Sequence, residues 1–196
     1  MKIPIGIAAV WLLAVGVPSA GAALVYTESV DDELSGSGMM PTVLEFSMGV
    51  NSVSGVMGRS GAMDVDIFSF LVAPNQRVTS IRLSSFFPTS SVGSGSFLAI
   101  DDAATINTGD GSGHAANQVV NAASGELLST RVLLGSKYSG GAATLQAPMG
   151  PGWYTTWFQE GATTVRYTLE FTVVPEPSSA ALVALGLAAG GRRRRP

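Results

Sequence analysis

Asp64 and Asp66 stand two residues apart in Asp64-Val65-Asp66-Ile67-Phe68-Ser69-Phe70, so an extended backbone turns both carboxylates to one face of a strand. With Asp101 and Asp102, or with Asp110, they could supply the hard oxygen ligands that Ca²⁺ takes. No segment has the twelve-residue spacing of an EF-hand loop, and the same acids could equally solvate a surface or accept backbone N–H groups. Much other chemistry is excluded by composition. The chain has no Cys and a single His, which removes disulfides, thiol nucleophiles, thiolate metal sites and multi-histidine metal sites together. That residue, His114, lies in the Gly-rich stretch that begins Gly109-Asp110-Gly111-Ser112-Gly113, and no Gly-x-Ser-x-Gly elbow accompanies it. The expectation is a solvated loop histidine and no Ser-His-Asp relay. The stretch also lacks the lysine and the strand-to-helix setting of a phosphate loop and reads as a flexible loop. Trp153 and Trp157 fall on the face opposite Tyr154, Thr156 and Phe158, where indoles either stack on sugar rings or, the favoured reading, are packed under a loop.

Stepping outward from these residues, the periodicity is that of strands. Val165, Tyr167, Leu169, Phe171 and Val173 alternate with Thr164, Arg166, Thr168, Glu170 and Thr172, the pattern of a half-buried strand. With Trp153 to Glu160 across Gly161 it predicts a terminal hairpin, and Asp64 to Val72 with Val78 to Phe86 across Pro74-Asn75 predicts another. Further strand candidates are Leu24 to Glu28, Thr42 to Met48, Asn51 to Met57, Ser96 to Asp101, Leu127 to Leu134 and Ala142 to Gln146. No long segment of 3.6-residue period interrupts them, which favours an all-β fold, an antiparallel β-sandwich.

The 196 residues suit one such domain with short appendages. Residues 1–22 read as a signal peptide: Lys2 is the positive start, Ile3 to Val17 is apolar, and Ala20-Gly21-Ala22 is a small-x-small cleavage site for signal peptidase, leaving Ala23 as the mature N-terminus. Residues 23–174 form the domain, and residues 175–196 hold Pro175-Glu176-Pro177, an apolar stretch from Ser178 to Gly191, and Arg192, Arg193, Arg194 and Arg195. The prolines keep the chain extended, the apolar stretch can enter a bilayer as a short helix, and the arginines resist translocation. The two ends therefore predict the same topology, domain outside and tail inside. Between Leu24 and Val174 there are thirteen acids and six bases, a net charge of −7 that opposes binding to nucleic acid phosphates.

The order Pro-Glu-Pro, apolar helix and Arg cluster resembles the PEP-CTERM sorting signal of exported bacterial proteins. The resemblance implies that an exosortase recognises Pro175, Glu176 and Pro177 after the tail has transiently anchored the chain in the inner membrane, then passes the protein to the cell surface or exopolysaccharide matrix. The domain, through Asp64 to Phe70, Arg77 to Ile81, Gly150 to Tyr154 and Tyr167 to Leu169, is similar to the bacterial pre-peptidase C-terminal domain, which implies a jelly-roll-like sandwich. On this reading the chain is a non-enzymatic structural or adhesive protein with no obligatory cofactor and exopolysaccharide as a partner. The alternative is a secreted hydrolase or a calcium-dependent carbohydrate-binding module using the acids near Asp64 and Asp66.

Overall fold

A computed structural model describes residues 23–60, 62–90, 95–109, 113–128, 133, 137 and 141–177. The expected signal helix with Ala20 and Ala22, the tail helix with Arg192 to Arg195, and Asp110 lie outside the described residues. No helix among the described residues is long and apolar enough to cross a membrane.

Alternating sequence becomes strand throughout: β1 (Ala23–Thr27), β2 (Thr42–Leu44), β3 (Gly49–Ser60), β4 (Ala62–Val72), β5 (Gln76–Pro88), β6 (Ser96–Asp101), β7 (Ala116–Val120), β8 (Gly152–Gln159) and β9 (Val165–Pro175), with one helical turn, α1 (Glu28–Asp31). Strands make up more than half of the described residues, which is enough to define an all-β, predominantly antiparallel architecture. One layer runs β1-β3-β9-β5 and the other β2-β4-β8-β6-β7; only β1 on β3 and β2 on β4 are parallel. The layers are continuous at one corner, where Gly58–Ser60 of β3 pair with Ala62–Asp64 of β4. Gly58 makes that corner possible, because its φ is 128° and a Cβ there would lie 2.1 Å from the Thr163 carbonyl oxygen.

The core lies between the layers. Val165, Tyr167, Leu169, Phe171 and Val173 of β9 are buried and face Phe68, Phe70 and Val72 of β4 and Phe158 of β8. Phe171 meets Phe70 at 5.2 Å and Phe68 at 5.9 Å between ring centroids, and Phe158 meets Tyr167 edge-on at 4.7 Å. Such ring pairs each add about 1 kcal/mol to the area they bury. A second, smaller cluster of Ile67, Ala99, Ile106 and Trp157 fills the opposite face of the second layer.

Both expected hairpins are corrected. β4 and β5 follow one another around Pro74-Asn75 but belong to different layers, as do β8 and β9. Alternation reports which face of a strand is buried, and a partner across the core satisfies it as well as one alongside. Ala142 to Gln146 is irregular and not a strand, Leu127 and Leu128 are buried outside any strand, and β7, absent from the expectations, forms the edge beside β6.

Candidate functional site

The inward face of β4 carries Asp66 before Phe68 and Phe70, so the chain's alternation drives a carboxylate into the same interior as two phenylalanines. Asp66 is 0% exposed, and neither of its carboxyl oxygens has a hydrogen-bond partner. The segment after β1 folds back over this corner. Glu28, opening α1, accepts the Val56 N–H at 2.6 Å on Oε2 and the Leu34 N–H at 3.3 Å on Oε1. Those bonds aim its carboxylate at Asp66, and Glu33 joins them: one oxygen from each of Glu28, Glu33 and Asp66 lies within 4.8 Å of the others.

Gly55 provides the space. A Cβ at that position would stand 2.7 Å from the Tyr167 hydroxyl and 2.9 Å from Asp66 Oδ2. Tyr167 is buried, and its hydroxyl near the Asp66 carboxyl partly offsets the rise in that group's pKa. Burial, and then the neighbouring charge of Glu28, raise the Asp66 carboxyl to about 9. Burial also raises Glu28, Glu33 and Asp64, and burial with the Asp66 charge pushes Tyr167 well above the usual phenol range.

Asp64, half-buried two residues before Asp66, adds to the negative field on it but is not one of the three acids whose oxygens come together. Asp101 and Asp102 do not. Asp102 is exposed, and Asp101, ending β6, is committed elsewhere: Oδ1 accepts the Ala115 N–H at 2.8 Å and Oδ2 lies 3.0 Å from His114 Nδ1. His114 is 1% exposed, which corrects the expected solvated histidine. Phe97 and Trp157 meet its ring edge-on at 6.3 and 5.5 Å; Asp101 meets the polarity of Nδ1, while Nε2 is buried without a partner. Trp157 is thus covered, as the loop alternative holds, while Trp153 remains 40% exposed.

Glu28 and Glu33 escaped the sequence analysis. The signal was present in the acid-dense run Glu28, Asp31, Asp32 and Glu33 close to the first strand, but only the return of that run onto β4 gives it meaning.

At the other end of the domain, β9 closes on Pro175 opposite Gln76, and the Glu176 N–H donates to the Asn75 carbonyl at 2.7 Å. Pro175, Glu176 and Pro177 are exposed there. Residues 173–195 match the PEP-CTERM protein-sorting motif. The matched residues begin within β9 and lend nothing to the pre-peptidase resemblance of the domain. No curated protein matches the chain. Among solved structures it is similar, at 14% identity over 69% of this chain and 100% of the other with a TM-score of 0.31, to Salmonella Typhimurium PliG, a periplasmic lysozyme inhibitor of g-type lysozyme.

Proposed function

From a chain that carries the PEP-CTERM sorting motif, and so is targeted to an exosortase for display at the surface, we propose a non-enzymatic structural or adhesive protein of the cell surface or exopolymer matrix. Its domain acts as a jelly-roll-like sandwich that keeps its fold through processing. The observation that carries this reading is the way the motif joins the domain. Val173 is paired with both Gly49 and Val78, and β9 lies between β3 and β5, so the tail is tied to an inner strand; Pro175 still pairs with Gln76, and the exposed Glu176-Pro177 is the first segment beyond the ladder. A cut beyond β9 releases the tail without removing a strand. At the other end, signal cleavage after Ala22 would leave β1 whole, since β1 begins at Ala23.

The acids of the domain support a non-catalytic role. Asp66 is sealed from any substrate, and Asp101 and His114 are spent on each other beneath Trp157.

The test is made in a host with a matching exosortase. Replacing Glu176 should block processing while the protein stays in the membrane; replacing Arg192 to Arg195 with uncharged residues should leave export intact and cause the chain to accumulate uncut or be shed whole. Immunoblots of membrane, surface and medium fractions read both outcomes, and co-sedimentation of the processed protein with exopolysaccharide reads the matrix role. Parent-like cutting and display of both variants would overturn the sorting assignment.

A further inference from the structure

We infer that the carboxylates of Glu28, Glu33 and Asp66 form a binding site for Ca²⁺ at the corner where the N-terminal segment folds onto β4. Their mutual separation of no more than 4.8 Å matches oxygens held around one ion at the roughly 2.3–2.6 Å typical of Ca²⁺. Acids gathered at a surface would not by themselves indicate a ligand. Here a second observation does: the side chain of Asp66 is wholly buried, is directed into the cluster, and has no hydrogen-bond partner for either oxygen. The equally buried Tyr167 hydroxyl next to it is also unmatched. Buried polar atoms are almost always satisfied, so the two Asp66 oxygens, unmatched beside two further carboxylates, mark a place where a cation can take up oxygen lone pairs.

The chemistry of the donors selects the ion. All are hard oxygens, without the nitrogen or sulfur that favours zinc, and they come from a loop, a one-turn helix and a strand, a spacing more suited to the adaptable coordination of Ca²⁺ than to the tight octahedron of Mg²⁺. No lysine or arginine whose side chain is described forms an ion pair with these acids. The two backbone N–H groups on Glu28 hold its carboxylate in place and leave lone pairs for an ion. Bound Ca²⁺ would fasten the segment after β1, which belongs to one layer, to β4 of the other. The inference rests on residues of the domain and not on the tail, so it can fail while the sorting assignment stands, and the reverse.

The experiment is calorimetric titration of CaCl₂ into the chelator-treated full chain in mild detergent, with thermal unfolding as a second readout. Saturable binding of one equivalent and a Tm that rises with free Ca²⁺ are expected. Glu33 is exposed, so Glu33→Gln keeps the fold and should weaken binding at least about tenfold. Asp66→Asn should abolish the Ca²⁺-dependent rise in Tm, whereas Glu45→Gln, an exposed acid outside the cluster, should change neither readout. No heat and no Tm change up to about 10 mM CaCl₂, well above the range of weak extracellular sites, would overturn the site. Equal weakening by Glu33→Gln and Glu45→Gln would overturn it as diffuse acidic attraction, and an equal response to MgCl₂ would overturn the choice of ion.

Discussion

Asp66 and Asp101 are both strand aspartates, the first buried and the second half-buried, and their surroundings treat them in opposite ways. Asp101 sits at the end of β6 and meets two donors, the Ala115 N–H and the His114 ring, so the chain folds its own counterpart over it. Asp66 lies on the inward face of β4 and meets two more acids and a phenol. One corner pairs its carboxylate with donors, leaving only His114 Nε2 unmatched; the other gathers like charge. Burial of a carboxylate says little until its partners are counted: the first arrangement contributes to stability, and the second sacrifices stability at a point where a cation could restore it.

The sharpest test of the paired corner is Asp101→Ala. It leaves the His114 ring buried without its acceptor and strands the Ala115 N–H, so urea unfolding should show a loss of about 3 kcal/mol. A loss below about 0.5 kcal/mol would mean that the two corners do not differ as described.

Next in size is Gly55→Ala, which drives a methyl group against Tyr167 and Asp66 and should cost about 2 kcal/mol. Unchanged stability would show that the acidic corner is looser than its geometry indicates.

Asp66→Asn should act with the opposite sign to the substitution at Asp101. In chelator, the folded Asp66 titrates near 9 while the unfolded chain titrates near the ordinary aspartate value of about 4, so between those limits the folded state holds the extra proton. Stability from this group is full below about pH 4 and falls as pH rises toward 9, by at most about 1.4 kcal/mol per pH unit. The raised values of Glu28, Glu33 and Asp64 lean the same way, and that of Tyr167 acts only above about pH 10. Asn cannot titrate, so the variant should match the parent near pH 4, exceed it by about 1 kcal/mol or more at pH 8, and show a shallower pH profile in thermal melts. A variant less stable than the parent at pH 8 would place Asp66 with Asp101 as a satisfied group.

The smallest effect is expected at Trp153, whose exposed ring takes no part in covering His114. Trp153→Ala should change stability by no more than about 0.5 kcal/mol, and a larger loss would show that both tryptophans of β8 are structural.

The β class, most strand positions, the shared face of Asp64 and Asp66, and the sorting motif are legible in the sequence. Each depends on residues close together in the chain: alternation for strands, and the order of Pro-Glu-Pro, apolar stretch and arginines for the tail. Only tertiary structure decided which strands pair, because β4 and β9 bury the same apolar face whether a neighbour lies beside them or across the core. It also decided the fate of His114, which a Gly-rich setting suggests is solvated until β6 supplies Asp101 and β8 supplies Trp157. The acidic corner needed the same step, since Glu28 and Asp66 are far apart in sequence and only the return of the first strand's continuation onto β4 places their oxygens together. Local patterns fix which face is apolar; long-range closure decides which polar groups that face traps, and with what company.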